Sequence, residues 1–138
     1  MHTYSVALRI SGTHLDIGEV SAKLRLKPTQ TRVMGQPRYS SGSVWSESMW
    51  EYQVQPGEGK VVWDSLEGGL RTLLSAFVSR DVELRDYQRR HRVFLWCGHF
   101  SSSFSGGPTL SPQILKDLGD FGVELILDTF FSDEPEAE

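Results

Sequence analysis

Between Arg92 and Ser101 the chain sets Val93, Leu95, Cys97 and His99 at one parity and Phe94, Trp96, Gly98 and Phe100 at the other. Side chains of a strand alternate between its two faces. A strand with apolar residues at both parities belongs inside a sheet, covered on both sides. The chain is therefore read as a sheet protein with 92–101 near its middle. Tyr4, Val6, Leu8 and Ile10 alternate with Ser5, Ala7, Arg9 and Ser11, the pattern of a strand with one apolar face.

Three helices are predicted, near 16–25, 63–79 and 111–121. Asp16 and Glu19 form a D-x-x-E opening, Ile17, Val20 and Leu24 follow at helical spacing, and Pro28 lies beyond the stop. Asp64 and Glu67 repeat the opening before a stripe of Leu66, Leu70, Leu73, Leu74, Phe77 and Val78. The Gly68–Gly69 pair in that stripe costs about 2 kcal/mol against alanine, so burial must hold the first turn. Ser111 is an N-cap, Pro112 sits at the first helical position, and Gly122 is the αL stop. Residues 28–43 read as a loop, Val44–Val54 and Val123–Phe131 as strands, and 81–91 as a polar connection with a short helical turn near Leu84 and Tyr87. Trp45 and Trp50 differ in parity and so face opposite sides of the predicted 44–54 strand. The expected fold is α+β: a ferredoxin-like, four-stranded, mainly antiparallel sheet from two βαβ halves, with an extra helix between them.

At 138 residues the chain has the length of one domain, expected over 1–132. Residues 133–138 read as a disordered acidic tail. The net charge of −4 comes from the four carboxylates of that tail; without them 14 acidic residues face 14 basic ones. A neutral body argues against binding a nucleic-acid backbone. Apolar runs fall well short of the roughly 18 residues of a membrane span. The chain opens on a strand-like pattern rather than a signal peptide, and its one cysteine, Cys97, cannot form an intramolecular disulfide. A reducing cytoplasm is the expected location.

The Tyr4–Ile10 strand leads to Leu15-Asp16, then Leu24-Arg25-Leu26-Lys27-Pro28-Thr29, then Gly35. Trp45 and Trp50 come next, then the Leu70/Leu73/Leu74 helix, then Leu110-Ser111 before the last helix and strand. This order resembles the bacterial family called domain of unknown function 4279, over roughly residues 4 to 130. Arg25 is a departure, because such proteins often carry glycine between the two leucines. A turn built differently before Pro28 is therefore expected. The resemblance implies no activity and no catalytic residue. It implies a small stand-alone protein, in some members in settings suggestive of immunity to toxins.

Several constellations have two readings. Cys97 and His99 share a strand face and could act as nucleophile and base or as metal ligands. The plainer reading is a buried thiol beside a hydrogen-bonded imidazole. Arg85, Arg89, Arg90, His91 and Arg92 could hold an anion, or form a solvated segment laced with ion pairs to Asp81, Glu83 and Asp86. Gly106-Gly107-Pro108 precedes a helix start but matches no phosphate-loop motif. No catalytic triad, paired-carboxylate motif or H-E-x-x-H is present. The expected function is a non-catalytic domain that binds another macromolecule, a protein of immunity type included, through Arg32, Arg38, Tyr39 and Trp45. The alternative is an enzyme or small-ligand protein with a pocket near His99, using Cys97 and arginines as anion clamps. No metal, cofactor or membrane is expected; nucleic acid is not an expected partner, and a second copy of the chain is a candidate one.

Overall fold

The computed structural model describes residues 1–39 and 42–132. The expected acidic tail lies outside the described residues. Along the chain run β1 (His2–Gly12), α1 (Ile17–Leu24), β2 (Gln30–Arg32), β3 (Ser48–Val54), α2 (Leu66–Phe77), α3 (Asp81–Arg90), β4 (Arg92–Ser101), α4 (Pro112–Phe121) and β5 (Glu124–Phe131). A 3₁₀ turn, Val78–Arg80, joins α2 to α3.

The fold is α+β with a single five-stranded sheet in the order β2-β3-β1-β4-β5. β1 is central and antiparallel to both neighbours, Val6 standing opposite Val54 on β3 and opposite Cys97 on β4. β5 runs parallel to β4, with Cys97 beside Leu127. The expectation of a four-stranded ferredoxin-like sheet from two βαβ halves is corrected here. Only β4-α4-β5 is a parallel βαβ unit, since the strands flanking α1 are not parallel neighbours. The fifth strand is β2, three residues inside the segment expected to be loop, held to β3 by the pairs Gln30–Glu51, Thr31–Trp50 and Arg32–Met49.

The helices pack on one face of the sheet. Tyr4, Val6, Leu8 and Ile10, with Trp50, Val54, Val93, Leu95 and Cys97, join Val20, Leu24, Leu70, Leu73, Phe77, Leu84, Tyr87 and Ile114 in one buried cluster. Gly69 allows the closest approach, because a Cβ there would stand 2.6 Å from a Val6 methyl and 3.2 Å from the Trp63 ring. The segment expected to be a polar connection is α3, anchored by buried Leu84 and Tyr87. Its arginines tie the helices together: Arg85 donates to the Phe121 carbonyl at the end of α4, and Arg80, just before α3, donates to the Leu24 carbonyl at the end of α1. The N-cap of α2 is Ser65, whose Oγ accepts from the Gly68 N–H at 3.1 Å, rather than Asp64. Glu67 instead accepts from the backbone and hydroxyl of Ser111, joining α2 to the cap of α4.

Among the described residues the other face of the sheet carries no helix, so β4 is not covered there by a second layer as its composition suggested. Phe94 is still 7% exposed and Trp96 half-buried. Neighbouring side chains on the same face shield them: Arg92 lies over the Phe94 ring at 4.5 Å and Arg9 over the Trp96 ring at 4.4 Å. Phe100 and Phe130 stack on each other and stay exposed. No helix among the described residues is long and apolar enough to cross a membrane.

Candidate functional site

The open face gathers the four residues singled out for binding at its β2 corner. Strand pairing puts Arg32 on the same face as Met49, and Arg9 on the same face as Glu51. Trp45 does not lie on β3, which begins at Ser48, so the two tryptophans take opposite sides of the sheet from separate segments and not from one strand. It sits on a narrow hairpin: its N–H donates to the Gln36 carbonyl at 3.0 Å, its carbonyl accepts from Gly35 at 2.9 Å, and Arg38 donates to the Ser43 carbonyl at 2.9 Å. The hairpin folds Trp45 over the open face, while Trp50 is fully buried under the helices and donates its indole N–H to Ser21 Oγ at 3.0 Å.

Trp45 is the centre of the cluster. The Arg32 guanidinium lies over its ring at 4.2 Å and that of Arg38 at 5.0 Å. The Tyr39 ring meets it edge-on at 5.8 Å between centroids. A cation over an indole face gains from the ring quadrupole, by roughly 0.5–1 kcal/mol where exposed and more where desolvated. Tyr39 is 75% exposed and holds a positive φ of 57°, a backbone conformation that strains any residue with a Cβ.

Four residues outside the sequence expectation extend the cluster across the sheet. Arg9 Nε donates to Glu51 at 2.9 Å, in an ion pair whose side chains are 16% and 4% exposed. The same arginine rests on Trp96, whose indole N–H donates to Asp128 at 2.6 Å. Arg9 is the lone charge on the polar parity of β1, the signal that could have marked it. Arg32 differs from Arg9 in having no such partner among the described residues: its Nε–H is buried and finds no acceptor. Burial, and next the charge of Arg9, hold the Arg32 pKa below the usual arginine value.

The alternative site near His99 is arranged otherwise. His99 is buried between Tyr4 and His2 in a stack, with ring centroids 4.9 and 5.0 Å away. Its Nε2 shares a hydrogen bond with His2 Nδ1 at 2.8 Å, and its Nδ1 one with Thr129 Oγ1 at 3.3 Å. Both ring nitrogens are thus occupied. Cys97 is fully buried, and burial pushes its thiol up to about 12, far from the thiolate a nucleophile needs. Two cavities, of about 630 Å³ between α2 and α4 and about 410 Å³ beside Ser11 and Arg90, are lined by neither residue. Among the described residues no three His, Cys, Asp or Glu side chains are grouped to hold a metal ion. The Arg85–Arg92 group is largely ion-paired: Arg85 with Asp81, Arg90 with Asp86 and Glu19, and Arg92 with Glu124.

No curated protein and no solved structure matches the chain. Residues 2–132 match the family described as Domain of unknown function (DUF4279), which takes in every strand and helix above, and the chain belongs to that family.

Proposed function

We propose that the chain is a non-catalytic binding domain whose partner is another protein, docked on the corner of the open face formed by Arg32, Arg38, Tyr39 and Trp45. The observation that carries this reading is the stacking of two guanidinium groups on Trp45 at 4.2 and 5.0 Å, with Tyr39 at the ring edge. Tryptophan, tyrosine and arginine dominate interface hot spots. Here they are stacked in advance, which lowers the entropy lost when a partner settles. The strained backbone of Tyr39 fits this role, since strain is retained where a side chain is needed in one place. The balanced charge of residues 1–132 favours a protein over a nucleic acid. A toxin held by its immunity protein is one such partner, as the family resemblance suggests.

The test compares the wild type with the Arg38→Ala/Tyr39→Ala double variant. Both are immobilised in lysate of the source cells, captured proteins are quantified by mass spectrometry, and the Kd of any enriched protein is measured. Loss of a hot spot of about 2 kcal/mol weakens binding about 30-fold. A partner whose Kd is the same for both proteins would place the interface elsewhere.

A further inference from the structure

We propose that the partner is recognised through a carboxylate, with an acidic segment of that protein placing an Asp or Glu side chain against the guanidinium of Arg32. This inference rests on the protein-binding reading and names what the surface selects.

The charges of the cluster are unequally met. Glu51 is the carboxylate of this corner, and Arg9 engages it at 2.9 Å in a nearly buried pair. That leaves Arg32 half-buried on the Trp45 ring with its Nε–H sealed from water and unbonded. A buried donor without a partner is unfavourable, and a buried cation without a counter-charge more so. Arg9 adds its own positive charge nearby, which lowers the Arg32 pKa further, and Glu51 acts on Arg32 in the opposite sense but less strongly than Arg9. An anion supplied from outside relieves the unmet charge. The contact with Trp45, 4.2 Å from the guanidinium carbon to the ring centroid, holds the group in place, and a guanidinium suits the fork of a carboxylate.

The surroundings select among anions. Glu51, buried behind the site, opposes a doubly charged group more strongly than a single carboxylate. A nucleic-acid strand would need a row of unmet cations, whereas the neighbouring Arg9 and Arg92 are each paired with a glutamate. Around Arg32 the hairpin exposes Val33, Met34, Tyr39 and Val44. Arg32, with Arg38 on the same indole, within an apolar rim fits a peptide with an acidic residue among apolar ones.

The test follows the arginine Nε–Hε resonances of ¹⁵N-labelled protein by NMR during titration with hexaglutamate, hexaglutamine or inorganic phosphate. Hexaglutamate is expected to move the Arg32 resonance saturably, and hexaglutamine to leave it in place. Arg32→Lys keeps the charge but loses the planar fork, and should weaken hexaglutamate by about tenfold, with its fold checked by circular dichroism. Arg89→Ala, an exposed change on α3, should leave binding as it was. An unmoved Arg32 resonance, or phosphate binding more tightly than hexaglutamate, overturns the carboxylate assignment. If Arg38→Ala/Tyr39→Ala abolishes capture of a protein while hexaglutamate leaves Arg32 unmoved, the docking surface stands and this inference falls. If hexaglutamate binds at Arg32 but the double variant captures its protein unchanged, the carboxylate site stands and the docking surface falls.

Discussion

Arg25 ends α1 with φ 56° and ψ 42°, donating its N–H to the Ser21 carbonyl. This is the left-handed stop that glycine makes without strain. The expectation that arginine would change the turn is corrected: Arg25 takes up the left-handed conformation itself, and the Leu26 N–H also donates to the Ser21 carbonyl at 3.3 Å. Its ion pair with Glu83, at 3.7 Å and more than half exposed on the arginine side, returns little. Arg25→Gly is therefore expected to stabilise the fold by about 1 kcal/mol and raise the melting temperature by a few degrees in calorimetry. At this scale the binding candidates were readable from residue type: arginines and aromatics in a Pro/Gly segment. What could not be read was how they meet. Parity reasoning assigned Trp45 to the same strand as Trp50, whereas backbone bonds to Gly35 and Gln36 hold it in a separate hairpin.

Caps and stripes located α1, α2 and α4 well, since each rests on local chemistry. The helix α3 was read only as a short turn near Leu84 and Tyr87, because six of the ten residues of Asp81–Arg90 are charged and two buried residues are too few to show a period. The role of the Gly68–Gly69 pair was legible only as a cost, and the structure separates its members. A Cβ on Gly68 meets nothing nearer than 3.6 Å, while one on Gly69 would press into Val6 and Trp63. Gly68→Ala is expected to stabilise α2 by up to about 1 kcal/mol. Gly69→Ala should destabilise the protein by about 1–3 kcal/mol in spite of its better helix propensity. Urea melts of the two variants would show midpoints moving in opposite directions.

Across the whole molecule, the number of strands and their neighbours depend on contacts between distant segments, which periodicity does not encode. That is why β2 was hidden in a loop and β1 was not seen to sit between two antiparallel strands. The His2–His99 pair is a long-range tie of the same kind: it joins the start of β1 to β4, to β5 through Thr129, and to the 102–110 loop through the Ser105 carbonyl. Burial, then the charge of His2, hold the His99 pKa below its usual 6.5. The unfolded chain thus takes up a proton near 6.5 that the native state refuses. Stability should be full above that value and fall as the pH drops below it, until His99 itself protonates. Urea midpoints at pH 7.5 and 5.5 should differ in wild type and differ less in His99→Gln. The central place of β1 also governs the order of events during synthesis. Its inner partner β4 lies roughly 90 residues later in the chain, so at about 5–20 residues per second β1 waits several seconds before that edge is paired. A ribosome-stalled chain ending before Arg92 is expected to be cut rapidly by protease, and one with β4 and β5 outside the exit tunnel to resist. A chaperone that shields Tyr4 to Ile10 during that interval would raise the yield of folded protein more than one acting after release.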